Sequence, residues 1–383
     1  MGTVIISHFQ ALGGDIVHYL VPFIFVLSIV VFFHELGPFL IARLSGVRVL
    51  VFSIGFGPEI AGFYDRHGTR WKIAPIPLGG YVKFFGDETA ASTPDRARAS
   101  TMDAAEREQS LIFQPVLKRA AIVAAGPIAN FILAIVIFSA TFMIYGVQTL
   151  SPRVDEVQPG SPAAAAGFQP GDIVLSIDGA KIDSFADMQR IVSDSAGDRL
   201  NIAVERDGKQ ITLQATPQLL EQKDILGNIQ RIGLLGIKRS PAPGDVKYQP
   251  VSPPRAVWMG VEETCGVVGQ TFSYIGGVLM GRKPANQLSG PIGIARVVGQ
   301  AATISFAFLM QITAAISVSL GLLNLFPIPL LDGGHLLFYA IEGVRGRPLS
   351  ERAQEVGFRI GFAVVLMLMI FATFNDIVHW AAS

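Results

Sequence analysis

The sequence predicts a polytopic α-helical membrane protein of about four transmembrane helices, with a β-rich globular block between the second and third. Three observations predict it. Half of the 383 residues are hydrophobic and only 16% are charged, against about 25% in soluble domains. Four apolar stretches are each long enough to cross a bilayer, which takes about 20 residues. Lys and Arg gather in two connecting segments and are missing from both ends. The composition also excludes a disordered chain, a coiled coil and a nucleic-acid binder carried by bulk charge, because 30 basic residues balance 30 acidic ones. A single cysteine, Cys265, excludes an intramolecular disulfide framework.

The first stretch covers residues 19–42 and is interrupted only by His34 and Glu35. The others cover residues 120–145, 301–331 and 358–378. A fifth segment, 256–280, carries Glu262, Glu263 and five glycines and is expected to form an amphipathic or membrane-surface helix. Residues 1–18 and 375–383 contain no Lys or Arg, residues 44–119 contain ten, and Arg345, Arg347, Arg352 and Arg359 follow the third stretch. The positive-inside rule then puts 44–119 and 344–359 in the cytoplasm and both termini outside. No basic region precedes the first stretch, so a cleaved signal peptide is not expected. Residues 87–110 are polar and Ala-rich and read as a flexible insert. In the block 150–245, residues 201–205 and 210–214 alternate polar and apolar around Arg206-Asp207-Gly208-Lys209, the pattern of a hairpin with a glycine turn. Residues 186–195 fit a short helix, and the topology places the block outside the cytoplasm.

Ionisable residues within a span are costly, which makes each a functional candidate. His34 and Glu35 lie together late in the first stretch, and Asp332 ends the third. Taken alone, His34-Glu35 is better explained by a buried polar pair bonding a neighbouring helix. With Asp332 at comparable depth, the composition is that of a metal site. A metal-free site would leave Glu35 and Asp332 as unpaired acids near hydrocarbon, so a metal or a neutralising partner is expected.

Phe33-His-Glu-Leu-Gly-Pro-Phe-Leu-Ile-Ala-Arg43 resembles the H-E-L-G-H-F-L-x-A-R signature of the site-2 proteases, intramembrane zinc metalloproteases. Further motifs follow in the family's order: Gly55-Phe-Gly-Pro58, Pro75-Ile-Pro-Leu-Gly-Gly-Tyr-Val-Lys83, Gly126-Pro-Ile-Ala-Asn130, Ser289-Gly-Pro-Ile-Gly293, Asn324 with Leu331-Asp-Gly333, and Asn375-Asp376. The resemblance covers nearly the whole chain and is nearest to the branch that regulates sigma-E signalling, with one soluble domain in place of two. That domain resembles a PDZ domain of the bacterial protease type through residues 154–167 and Pro170-Gly-Asp-Ile-Val-Leu-Ser-Ile-Asp-Gly179. The organisation implied is an N-terminal membrane part over 1–149 with a cytoplasmic β-hairpin, a PDZ-like domain over 150–245, and a C-terminal membrane part over 246–383.

The resemblance implies that His34 and Asp332 bind Zn2+ and that Glu35 is the general base for water attack. In an H-E-x-x-H helix the two imidazoles share a face and the Glu, about 100° round, faces the water instead. Here position 38, which holds the second His of the family, is Pro38. Proline has no donor atom for zinc and removes a helix hydrogen bond to His34. The chain is therefore a protease that binds zinc with two protein ligands plus waters or a further residue, an inactive relative that binds transmembrane segments and peptide C-termini, or a substituted form of an otherwise active protein. His335 is the nearest other imidazole, and a place in the motif's loop is the plainer account of it. Implied substrates are single-pass membrane proteins, anti-sigma factors and remnant signal peptides, in the lipid bilayer of a bacterial cytoplasmic membrane. The strand edge around residues 70–74 and 81–84, with Gly79, Gly80 and Tyr81, is expected to hold an unwound substrate extended, and Asn324 to bond its backbone. The PDZ-like domain is expected to take peptide C-termini or to exclude bulky ectodomains.

Overall fold

A computed structural model describes residues 2–87, 100–223, 229–240, 246–281 and 290–382. The chain divides into two compact units, Met1–Thr141 with Pro253–Ser383, and Phe142–Ser252.

The first unit is helical with one sheet. Its long helices are α1 (Gly2–Leu44), α2 (Val116–Tyr145), α3 (Pro253–Leu279), α4 (Pro291–Ile304), α5 (Phe306–Leu325), α6 (Asp332–Arg345) and α7 (Glu351–Ala382). Four helical segments, His18–Leu44, Val116–Tyr145, Phe306–Leu325 and Glu351–Val378, have the length and hydropathy to cross a membrane. The third apolar stretch is not one helix, contrary to the expectation from hydropathy. α4 ends at Ile304, and Ser305 starts α5 by accepting a hydrogen bond from the Phe308 N–H at 3.1 Å. The run of apolar residues hides this cap, and residues 326–331 leave the helix before α6 begins. Residues 256–280 do form a helix, α3, which exposes Trp258, Glu262 and Cys265.

Small residues set the helix crossings. A Cβ on Gly37 of α1 would overlap the Ala125 carbonyl of α2, and one on Gly321 of α5 would sit 3.1 Å from Asn130 Cβ and from the Pro127 carbonyl oxygen. The Ser317 hydroxyl of α5 donates to the Asn130 carbonyl at 2.8 Å. Asp376 of α7 accepts from the N–H groups of Gly290 (3.0 Å) and Gly293 (2.9 Å), occupying the N-terminal end of α4.

A four-stranded sheet follows α1: β1 (Val49–Phe56), β2 (Ala61–Tyr64), β3 (Arg70–Ile73) and β4 (Ile76–Phe84), in the order β2-β3-β1-β4. The expected hairpin is thus corrected. β1 lies between β3 and β4, parallel to β3 and antiparallel to β4. Phe52, Val82 and Phe84 from this sheet, with Phe39 of α1, Leu111 and Ile122, make a buried core that fixes the sheet on α1 and α2. Arg43, near the end of α1, pairs with Asp65 at 2.8 Å. Burial alone would raise the Asp65 carboxyl, but N–H groups of Thr69, Trp71 and His67, with the Arg43 charge, hold it below its usual range. Of the insert expected over 87–110, residues 88–99 lie outside the described residues. Residues 104–109 form a short helix with a capping box between Asp103 and Glu106.

The second unit holds β5 (Ile173–Ile177), β6 (Ala180–Lys181), β7 (Leu200–Arg206) and β8 (Lys209–Ala215) in the order β8-β7-β5-β6. The β7–β8 hairpin turns at Asp207 (φ 52°) and Gly208 (φ 74°), the two positive angles of a type I′ turn. A helix over Phe185–Asp194 packs Met188 and Val192 into a core with Val174, Ile202 and Val204. Asp172, fully buried, takes two hydrogen bonds at 2.7 Å from Arg206.

Candidate active site

α1 stays helical through Pro38, although proline gives the His34 carbonyl no N–H partner. The contact of Gly37 with Ala125 brings α2 against this turn. His34 then faces two residues from distant segments. Its Nε2 lies 3.2 Å from Asp332 Oδ2, and its Nδ1 lies 3.2 Å from Asn130 Nδ2.

Asp332 is the first residue of α6. Side chains at Gly333 or Gly334 would overlap carbonyls of Leu325, Phe326 and Ile328, so only glycines let this helix start so close to the end of α5. The preceding turn carries Leu330 at φ 114°, a conformation costly for any residue but glycine. Its side chain borders the site.

Gly126 leaves space beside both groups. A Cβ there would lie 2.9 Å from His34 Cε1, 3.0 Å from His34 Nε2 and 3.4 Å from Asp332 Oδ2. Glu35, the next residue round the helix, is covered by β4: a Cβ on Gly80 would lie 3.0 Å from Glu35 Cγ. Together these groups border a cavity of about 360 Å³ whose polar lining includes His34, Glu35, Tyr81, Asp332, His335 and Tyr339. Pro38 lines it too, one turn beyond His34.

The sequence-predicted residues divide as follows. His34, Glu35, Asp332, Gly80 and Tyr81 meet at the cavity. Gly79 does not line it. It sits behind Phe56, where its φ of 147° requires glycine and a Cβ would press on the Phe56 ring at 2.7 Å. Asn324, half-buried at the end of α5, is not among the lining residues either. Sequence reasoning gave no role to Asn130 or Gly126. A fully buried amide in an apolar run was the available signal for Asn130. Also unforeseen is the pair Arg119–Glu342, which joins α2 to α6 with bonds of 3.2 and 2.5 Å while the guanidinium lies 4.9 Å from the Tyr339 ring centre.

The donor set can be tested against zinc. Two ligands bound at about 2.0–2.1 Å in tetrahedral geometry stand about 3.3 Å apart. His34 Nε2 and Asp332 Oδ2 meet that spacing, and Gly126 keeps a side chain out of the space beside them. Asp332 Oδ2 is also buried without a well-directed hydrogen bond. The third protein position falls to Pro38, which offers no donor. Among the described residues no group of three or more His, Cys, Asp or Glu comes together as a metal cluster. The site fits zinc along one edge of its coordination shell, with two protein ligands.

Residues 22–368 match the family model described as Peptidase family M50. A protein of Agrobacterium fabrum that bears the name of a zinc metalloprotease is 51% identical over 368 residues, covering 96% of this chain and 98% of its own length. Metalloprotease MmpA of Caulobacter vibrioides is 42% identical over 382 residues, covering 94% of this chain and 95% of its own. Among solved structures, the PDZ domain of the SdrC-like protein of Listeria monocytogenes is 25% identical, covering 22% of this chain and 88% of that one, at a TM-score of 0.17.

Proposed function

The chain belongs to peptidase family M50 and is by that resemblance a membrane metalloprotease of the site-2 type, and on that premise we propose that it is an intramembrane zinc endopeptidase acting on transmembrane segments. One observation carries the proposal: His34, Glu35 and Asp332, from two helices far apart in sequence, border one cavity closed on another side by the terminal strand of a sheet.

His34 Nε2 and Asp332 Oδ2 would hold the metal. When bound, zinc supplies Lewis acidity to a peptide carbonyl and acidity to water. Glu35 takes the water's proton as general base and returns it to the leaving amine. A substrate helix hides its carbonyls in internal hydrogen bonds and must be held extended to be cut. β4 suits that task. It is the sheet's terminal strand among the described residues, and Gly80, Tyr81 and Val82 line the cavity, so a segment added along it would run past Glu35. β3 does not suit it, because β1 and β2 occupy both its edges. Asn324 remains a candidate for the substrate backbone beyond the cavity. The substrates proposed are single-pass membrane proteins such as anti-sigma factors, and remnant signal peptides, in a bacterial cytoplasmic membrane. The Arg-rich segments face the cytoplasm, and the PDZ-like domain lies outside and takes peptide C-termini.

One observation favours a second reading, a non-catalytic binder of transmembrane segments: Pro38 stands in the cavity wall where the third ligand belongs. Zinc content and cleavage separate the two. Pro38→His should bind stoichiometric zinc and cleave a model transmembrane substrate, and adding Glu35→Gln should abolish cleavage while keeping zinc. An inert, metal-free Pro38→His protein would overturn the protease reading of the scaffold. The unaltered chain should show little or no cleavage. Robust cleavage by it, lost in Glu35→Gln, would overturn the second reading.

A further inference from the structure

The geometry points to Leu330 as a specificity-determining residue, one that limits the size of the side chain a bound transmembrane segment can place in the cavity. The Leu331 N–H donates to the Ile328 carbonyl at 3.0 Å, closing a four-residue turn with Pro329 second and Leu330 third. Proline second and a positive φ third are the marks of a type II turn, whose third place belongs to glycine. Leucine stands there instead, at φ 114°. Both neighbouring helices press on the turn. A Cβ on Gly334 of α6 would lie 2.5 Å from Pro329 Cα, and one on Gly361 of α7 would overlap the Pro329 carbonyl. Strain of this kind persists only where the surroundings hold it, and it gathers at functional sites.

Core packing does not reward this leucine. Leu330 is 42% exposed, and what it borders is the cavity of His34, Glu35 and Asp332. On the sheet side, Phe56 and Tyr81 line the same cavity, their rings stacked 6.2 Å apart at 14°. Gly80 of β4 also lines it and presents no side chain. A segment laid along β4 alternates its side chains between two faces. Those on one face enter the cavity, where they meet the two rings and Leu330. Stacked rings form a broad, rigid wall, so the alkyl chain of Leu330, fixed by its strained backbone, sets the width that remains. Small side chains such as alanine are admitted there, and tryptophan is refused. The inference rests on the proposed binding of an extended transmembrane segment and is independent of the metal, because Leu330 acts through the apolar lining.

The probes are a pair of single-pass peptides, Leu- and Ala-rich over about 20 residues, with Lys at both ends and a central Gly-Ser step. They differ at one position beside that step, which carries Ala or Trp and is moved along the peptide residue by residue. Their binding to the full-length chain in detergent micelles is read by fluorescence anisotropy. At the position that enters the cavity, the unaltered chain should bind the Ala peptide at least about tenfold tighter than the Trp peptide. Leu330→Ala should bring the two within a few-fold, and Leu330→Met, of nearly equal volume, should keep the preference. Melting temperatures supply a second measurement. Leu330→Gly should match or exceed the unaltered chain, because glycine accepts the turn, whereas Leu331→Gly, where φ is −96°, should melt lower. Equal binding of both peptides by the unaltered chain at every position, or a preference that survives Leu330→Ala, would overturn the inference and leave the segment-binding reading standing. A Leu330→Gly protein that melts as low as Leu331→Gly would overturn it too, since packing would then account for the leucine. Failure of both peptides to bind any of these proteins would overturn the segment-binding reading and the size limit with it.

Discussion

A methyl group at position 126 should disable the site while leaving the fold in place. The Cβ of Gly126→Ala would lie 2.9 Å from His34 Cε1 and 3.0 Å from Nε2. Carbon atoms in comfortable contact stand about 3.5–4.0 Å apart, so the ring or the helix must yield by about 0.5–1 Å. α2 has nowhere to retreat, because α1 touches it at Ala125 and α5 touches it at Pro127 and Asn130. The imidazole therefore moves. Overpacking of this kind costs about 1–3 kcal/mol in stability, whereas an unhindered Gly→Ala in a helix gains up to about 1 kcal/mol. Metal ligation tolerates about 0.2 Å, and displacing reacting groups by about 1 Å can cost about 100-fold in rate. Zinc titration against a competing chelator, in Pro38→His protein with and without Gly126→Ala, should show at least a tenfold loss of affinity, and cleavage should fall about 100-fold. Gly343→Ala is the control, since nothing stands within 4 Å of a Cβ there. It should be neutral or stabilising. If Gly126→Ala raises the melting temperature as Gly343→Ala does and binds zinc equally well, the packing argument for the site is wrong.

At Gly80 an added Cβ would lie 2.6 Å from the Ser53 carbonyl and 3.0 Å from Glu35 Cγ, so Gly80→Val in Pro38→His protein should cut cleavage at least tenfold while zinc binding, which does not involve β4, stays within a few-fold. In the second unit, burial would raise the Asp172 carboxyl, yet its hydrogen bonds from Arg206 and the Gln169 N–H hold it below its usual range. A lowered folded value contributes stability that is complete above the unfolded value of about 3.9 and is lost as pH falls through the folded one. Hydrogen-exchange protection factors of residues 200–206 should therefore hold from neutrality down to about pH 4 and drop below it, and Asp172→Asn should lose about 3 kcal/mol of protection at neutral pH. An unchanged profile in Asp172→Asn would refute the assignment.

Much of this arrangement was legible because it depends on local chemistry. The four long apolar helices follow from hydropathy over about 20 residues. The β7–β8 turn follows from Asp207-Gly208, which accept positive φ. His34, Glu35 and Asp332 stood out because ionisable groups are costly in an apolar run. The unreadable parts are pairings between distant segments. Nothing local says that β1 pairs with both β3 and β4, because each pairing joins segments well separated along the chain. The break at Ser305 was marked only by a hydroxyl whose capping role depends on the helix ending just before it. Asn130 escaped a search for charge because an amide carries none, and its value lies wholly in what faces it across α1 and α2.

Pro38 then has a narrower meaning than its place in the motif suggests. Helix α1 passes through it without ending, the cavity is present, and position 38 still faces it, so the proline removes a donor without removing the site. Structural zinc is worth about 10–16 kcal/mol with four ligands, or about 3–4 kcal/mol for each, so a missing ligand weakens binding by about two to three orders of magnitude. A site this weakened must be tolerable to the fold when empty. On sequence grounds an empty site looked costly, with two acids stranded near hydrocarbon. The structure eases half of that objection: the His34 imidazole stands at ion-pair distance, 3.2 Å, from Asp332. Only Glu35 is left to be accommodated, beneath the glycine of β4 and beside the open cavity. The His34–Asp332 contact thus offsets part of the cost of an empty site, and what Pro38 takes away is a ligand.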